Sequence, residues 1–321
     1  MHIAIIGPGY MPIPPTGWGA VEILIDDIRV NLLNLGHQVS IVNTPILQHA
    51  VGITNALNPD VVHIHYDDYS FLAHHLNCKK VVLTSHFAYL EQPSRWSENY
   101  SKFFWEFINT DTHIFCLSKG ILDMYKKGGK SDERLHLVHN GVRTDLFDYK
   151  DICERPNDSL CLGKIDSRKR QAIFQNVDNL YFAGRIEDPE FKGRLKTTYL
   201  NEWSKKQLYK NLTKFANLVL LSDGEAHPLV CMEALSAGLG LVISEYATAN
   251  LDTSLPFIDV VPESKIHDLV YVSDVLENNR KVSVKMRKEI RDYAISFDWK
   301  SVIQEKYIKS VEKILEGSNE H

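Results

Sequence analysis

Apolar runs of strand length alternate with amphipathic stretches along this chain, and the alternation occurs twice. Residues 3–6 are continuously apolar, residues 21–35 carry Ile and Leu at helical spacing up to Gly36, and residues 39–42 form the next apolar run. Strand signals recur at 61–64, 81–84, 112–116 and 135–138, with helix-like stretches between them. Strands that read as near-continuous apolar runs are buried on both faces, so this half predicts a parallel sheet covered by helices on both sides. The pattern pauses in the polar segment 148–159, which carries Asp151, Glu154, Pro156, Asn157 and Asp158 and reads as a linker. It restarts with a strand at 160–163, a helix at 169–176 and strands at 180–183 and 197–200. A helix at 205–215, a strand at 218–221, a helix opening at Pro228 and a strand at 241–244 follow. The last helix is marked by Trp299, Val302, Ile303, Tyr307, Val311, Ile314 and Leu315, with Asp298 as N-cap and Gly317 as stop. The expected fold is α/β, with two Rossmann-like doubly wound domains at 1–150 and 151–298. A C-terminal helix at 299–321 is free to pack back on the first domain.

Ligands of doubly wound sheets bind beyond the carboxyl ends of the strands, so a pair of such domains is expected to face a central cleft that holds the ligand. The most informative stretch for that site is residues 222–244. Glu225 and Glu233 stand on either side of a loop-to-helix junction, with Pro228 suited to the first helical position and Gly238 to a left-handed stop. The helix start is expected to present the N–H groups of His227, Leu229 and Val230 with the positive end of the dipole behind them, which suits phosphates and sugar hydroxyls. An ordinary surface helix with two solvated carboxylates is the other reading of the same residues. A second candidate is Gly163-Lys164-Ile165-Asp166-Ser167-Arg168-Lys169-Arg170, where four cations leave a strand end and enter a predicted helix. Positive charge opposes the dipole at a helix start, which favours a ligand role, a diphosphate gripped by Lys164 and Lys169 from two sides, over a solvated helix start. In the first domain, the loop Pro14-Pro15-Thr16-Gly17-Trp18-Gly19-Ala20-Val21-Glu22 has small residues at 19 and 20 that let backbone approach a phosphate. Gly7-Pro8-Gly9 is not a dinucleotide fingerprint, because Pro12 occupies the position of the third glycine.

Composition narrows the field. The 321 residues are 44% hydrophobic and 24% charged, with a net charge of −5, so nothing global draws the chain to nucleic acid or an anionic membrane. No apolar run approaches the roughly 20 residues that span a bilayer, and Met-His-Ile-Ala-Ile-Ile-Gly reads as a strand rather than a signal peptide. Five cysteines without a Cys-x-x-Cys pair suit reduced thiols and a cytoplasmic location. Lys119, Lys126, Lys127 and Lys130 form a modest basic run, either a solvated helix face or a weak peripheral contact with the inner face of a membrane. His63, His65, His74, His75 and His86 lack the carboxylate or cysteine pattern of a zinc site and read as a polar cleft wall, so no metal is expected.

Taken together, these residues resemble the signature of the retaining glycosyltransferases of family 4. Glu225 and Glu233, followed by Ala234-Leu235-Ser236-Ala237-Gly238, are similar to that family's paired-glutamate motif. Trp18-Gly19-Ala20-Val21-Glu22 is similar to its Tyr-Gly-Gly-x-Glu loop. Asp60-Val61-Val62-His63-Ile64-His65 and Thr84-Ser85-His86 are similar to its strand-end histidine motifs. His139-Asn140-Gly141-Val142, Gly163-Lys164 through Lys169, and Phe297-Asp298-Trp299 complete the order over nearly the whole chain.

The resemblance implies the GT-B fold and transfer of a sugar from a UDP-sugar or GDP-sugar to a carbohydrate or lipid-linked acceptor, with no cofactor and no metal. It implies that Glu233 binds ribose hydroxyls, Glu225 and His86 contact the transferred sugar, Lys164 and Lys169 neutralise the leaving diphosphate, and Gly19 offers backbone near the phosphate. Departures from the family pattern are Lys164 for arginine, Ala20 for the second loop glycine, and Glu245-Tyr246-Ala247-Thr248-Ala249-Asn250 where a Gly-Gly pair and a glutamate are usual. A nucleotide-sugar epimerase of the same fold and a non-catalytic nucleotide-sugar-binding subunit stay open as alternatives. The acceptor is not legible, although residues 11–17 and the aromatic stretch 87–107 are where the fold would hold it.

Overall fold

The computed structural model describes residues 1–16, 19–193 and 197–317. It divides into two compact units. Unit 1 comprises Met1–Asn140 and the chain from Trp299 onward, and unit 2 comprises Gly141–Asp298. The segment 148–159 expected as a linker lies inside unit 2, and its second half opens a strand. That strand was read short because its first residues are polar and lie beyond the core. Arg155 there stacks its guanidinium on Tyr181 and Phe215, at 3.9 and 4.5 Å from the ring centroids.

Unit 1 carries six parallel strands: β1 (His2–Ile6), β2 (Gln38–Val42), β3 (Val61–Ile64), β4 (Val81–Leu83), β5 (His113–Cys116) and β6 (Leu135–Leu137), in the order β2-β1-β3-β4-β5-β6. The chain doubles back between β1 and β3, so the switch point lies where Gly7 and His65 leave those strands. The helical run from Trp299 to Glu316 includes a π-helical stretch, Ile303–Ile308. It buries Trp299, Val302, Ile303, Tyr307, Val311 and Ile314, the stripe read from the sequence. Trp299 anchors it by donating its indole N–H to Asp27 at 3.1 Å, and Lys80 donates to the Ile314 carbonyl at 3.1 Å. Asp298, expected as the N-cap of this run, instead accepts the Thr144 hydroxyl within unit 2.

Unit 2 carries five parallel strands: β7 (Arg155–Leu162), β8 (Leu180–Ala183), β9 (Phe215–Leu220), β10 (Gly240–Ser244) and β11 (Ile258–Val261), in the order β11-β10-β9-β7-β8. Period-two alternation sends Leu160, Leu218, Leu220, Leu241 and Ile243 to one core and Cys161, Val219, Leu221 and Val242 to the other. Helices Leu229–Ser236 and Arg287–Ala294 cover the first face, and Leu269–Ser283 covers the second. Arg287 is buried with no carboxylate partner among the described residues. Its guanidinium instead donates to the carbonyls of Lys150, Thr213, Phe215 and Ala237 at 2.6–3.3 Å and so fixes the end of the 229–236 helix.

Several expected elements differ. The strand expected at 197–200 is a single bridge between Tyr199 and Phe182, and the helix expected at 169–176 shortens to Gln171–Phe174. The helix begun at Lys205 ends at Asn211, because Phe215 is needed as the first buried residue of β9. Strand β11 and the helices Leu269–Ser283 and Arg287–Ala294 have no counterpart in the sequence pattern.

Candidate active site

The switch point of unit 2 lies between β7 and β9, and both expected motifs occupy it. Gly163 leaves β7 with φ at +113°, a conformation that favours glycine, and the chain turns back so that the Lys169 ammonium lies directly over it. A Cβ on Gly163 would stand 2.5 Å from the Lys169 nitrogen, so this glycine makes the lysine's position possible. The 164–170 segment is a loop and not the start of a long helix. Arg170 is left-handed at φ +59°, and its guanidinium holds Glu263 by two bonds of 2.7 and 2.8 Å. The four cations therefore do not stand at the start of a long helix and oppose no helix dipole there. What orders the loop is Asp166, which caps the Lys169 N–H at 2.9 Å, together with the Arg170–Glu263 clamp.

Beyond β9, Glu225 is tied to the same loop. Arg168 donates to the Glu225 carboxylate and to the Gly224 carbonyl, each at 2.6 Å, and the Asp223 N–H donates to the Arg168 carbonyl at 2.9 Å. Sequence reasoning counted Arg168 among the cations but gave it no task; its signal was only adjacency to Lys169. Glu233 sits on the 229–236 helix. The buried Cys231 thiol reports the grouping: burial pushes it far up, Glu225 and Glu233 push it further, and Lys169 pulls it down. Lys169, Glu225 and Glu233 thus act on one point of the molecule.

Lys164 is placed differently from expectation. Its ammonium is half exposed and pairs with Glu187 at 3.1 Å and Asp166 at 3.5 Å. The helix start is also altered. Pro228 is the N-cap rather than the first helical residue, and the Leu229 N–H expected to be open donates to the buried His227 carbonyl at 2.9 Å. Val230 lies in the first turn as expected. Gly238 is the left-handed stop at φ +82°.

In unit 1, β3 and β4 deliver a histidine chain. Buried His63 meets the Thr84 hydroxyl at 2.7 Å, the Tyr307 hydroxyl at 3.0 Å and His65 at 3.2 Å, and His65 meets His86 at 3.1 Å. Burial lowers His63 to about 3 and His86 to about 4, and lowers His65 well below its usual value, so all three are neutral at pH 7. Their ring nitrogens are engaged with one another and with the Thr84 and Tyr307 hydroxyls. Asp67, which the sequence reading passed over, follows β3. Burial pushes its carboxyl up to about 7 although the Ser85 hydroxyl donates to it at 3.1 Å. Gly19 is the N-cap of the helix Ala20–Asn34 at φ +133°, with the Glu22 carboxylate 3.0 Å from where its Cβ would be. Ala20 is exposed at the first helical position, and the motif's Gly17 and Trp18 lie outside the described residues.

Residues 43–146 match the family model described as Glycosyltransferase Family 4. Solved structures agree on the architecture. Sucrose-phosphate synthase from Thermosynechococcus elongatus superposes with a TM-score of 0.78 at 14% identity over 99% of both chains. The Anabaena HepE protein, solved with UDP and glucose, gives 0.72 at 13% identity over 95% of this chain and 98% of its own. AviGT4, a glycosyltransferase involved in avilamycin A biosynthesis, gives 0.71 at 15% identity over 98% of both. At such identities the likeness shows the fold, which is GT-B. No protein in a search of curated sequences matches. Among the described residues no helix is long and apolar enough to cross a membrane.

Proposed function

We propose that the protein is a glycosyltransferase that moves a hexose-type sugar from a UDP-sugar or GDP-sugar to a hydroxyl of a glycan, lipid-linked or small-molecule acceptor, with retention and without a metal. The observation that carries the reading is the Lys169 ammonium over Gly163, in a turn that Arg168 joins to Glu225. In the proposed step the bond from the anomeric carbon to the diphosphate oxygen breaks and the acceptor oxygen bonds that carbon from the same face. The acceptor proton passes to the departing phosphate oxygen. Negative charge grows on the diphosphate, and Lys169 is held where it meets that charge. Lys164 joins it by exchanging its exposed pair with Glu187, a contact worth about 0–1 kcal/mol and easily given up.

Arg168 takes one oxygen of Glu225, which leaves the other to accept a hydroxyl of the sugar. Glu233 accepts the ribose hydroxyls, and the backbone at Gly163, His227 and Val230 lies toward the phosphates. In unit 1 the same reading gives His86 contact with the sugar, and Gly19 and Ala20 a close backbone approach to the donor. A cytoplasmic setting, with weak peripheral contact at the inner face of a membrane, belongs to the same proposal.

Transfer is expected to persist in excess EDTA, because cations of the protein do what a divalent ion would otherwise do. Product formation followed by NMR checks both parts, since the anomeric coupling of the product reports retention or inversion. Activity lost in chelator and restored by Mn²⁺ or Mg²⁺ would overturn the metal-free mechanism. Donor isomerised without acceptor would favour an epimerase.

A further inference from the structure

A groove of about 370 Å³ opens on unit 1 between the edge strand β6 and the C-terminal helical run. Its lining includes His136, Lys306, Lys309, Ser310 and Lys313, with Glu305 as the carboxylate among them. Glu305 is taken by Lys309 in an ion pair one turn away, whereas Lys306 and Lys313 make no ion pair among the described residues. Residues 306, 309, 310 and 313 share one helix face by their spacing. This local excess of positive charge stands against a chain whose net charge is −5.

The wall opposite the lysines is also a donor, and the reason lies behind it. Arg134 points a guanidinium N–H at His113 Nε2 across 2.7 Å, and a guanidinium can only donate. Nε2 of His113 is therefore the acceptor nitrogen, so its proton sits on Nδ1 and is donated to His136 Nε2 at 3.0 Å. That leaves His136 neutral with its proton on Nδ1, which has no partner among the described residues. Burial and the charges of Lys313 and Arg134 lower His136 to about 4, in keeping with a neutral ring across the physiological range. Asp111, which is not among the lining residues, balances Arg134 at 2.7 Å. Beside His136, the outward backbone groups of β6 have no neighbouring strand.

We propose that this groove is a second ligand site, for a small phosphorylated molecule whose phosphate oxygens accept from Lys306, Lys313 and the His136 Nδ1–H. Ammonium groups, a hydroxyl and an imidazole N–H offer a phosphate charge-assisted bonds, and the single carboxylate is already paired. The volume suits a ligand of metabolite size. The site stands independently of the sugar-transfer reading, because none of its residues belongs to the strand-end machinery.

Pyrophosphate is the probe. In the ¹⁵N-labelled wild-type protein, the His136 imidazole resonances are expected to shift saturably as pyrophosphate is added. The exposed-face variant Lys306→Glu/Lys313→Glu is expected to weaken that titration by on the order of tenfold per reversed cation, the scale of one charge-assisted hydrogen bond. Lys169→Ala keeps the His136 response, which separates this site from any pyrophosphate bound in unit 2. A His136 resonance that does not move, or a double variant that titrates as the wild type, overturns the proposal. Sedimentation with phosphatidylglycerol vesicles is the second arm. Binding to vesicles that requires Lys306 and Lys313, with no response to pyrophosphate, would make the groove a membrane face and overturn the small-ligand assignment.

Discussion

Lys169→Ala is expected to lower kcat by roughly 10²–10³ while donor affinity changes little, a loss comparable to deleting one preorganised transition-state donor. The expectation rests on where the ammonium is held. Gly163 leaves room for it and Asp166 caps the backbone N–H of Lys169 itself. Arg170, locked to Glu263, prevents the turn from relaxing once the side chain is removed. Charge on a leaving diphosphate builds as the glycosidic bond breaks, so a cation fixed there matters more to the transition state than to the bound donor. Steady-state kinetics on the purified variant check this. Wild-type kcat would place the chemistry elsewhere and reduce Lys169 to a surface charge.

The second large effect concerns a residue that carries no functional group. Gly184 follows β8 with φ at +152°, and a Cβ there would lie 1.9 Å from the Gly163 carbonyl oxygen. Two backbones touch at this point, because Gly163 donates to the Ala183 carbonyl at 2.9 Å and Ile165 to the Arg185 carbonyl at 2.8 Å. Neither partner can yield as a flexible side chain would. Gly184→Ala is expected to destabilise unit 2 by on the order of 3 kcal/mol or more, combining backbone strain with overpacking. It should also cut activity by displacing the turn that carries Lys164 and Lys169. Chemical denaturation and the same transfer assay measure both effects; a variant as stable as the wild type would mean the contact is not as tight as described.

Apart from β11 and the single bridge at Tyr199, the strands were legible because burial leaves an apolar run, and β3 and β8 match residue for residue. Glu225 and Glu233 stand out in one motif and Lys169 in another, and the structure joins the two through the Arg168–Glu225 bond. What sequence could not show is which charges are already spent. Lys164 looked like a twin of Lys169, yet it pairs with Glu187, some twenty positions away along the chain and brought near only by β8. Arg168 looked like one cation in a run of four, and its bond to Glu225 depends on β7 and β9 being neighbours across a crossover. The short helix at Gln171–Phe174 was overestimated for a similar reason. Arg170 adopts a left-handed conformation to reach Glu263, which no local propensity foretells. Asp67 was missed because one aspartate of an Asp67-Asp68 pair after a strand is an ordinary surface residue until its burial is known.

In the proposed mechanism unit 2 binds the nucleotide and Glu233 holds its ribose. Calorimetric titration with UDP, GDP and ADP, on the wild type and on Glu233→Ala, tests it most directly. The account predicts that one nucleoside diphosphate binds the wild type and that the variant loses roughly 1–3 kcal/mol of that affinity, the worth of hydrogen bonds to a charged acceptor. A wild-type protein that binds none of the three, or a variant that binds as tightly as the wild type, would contradict it.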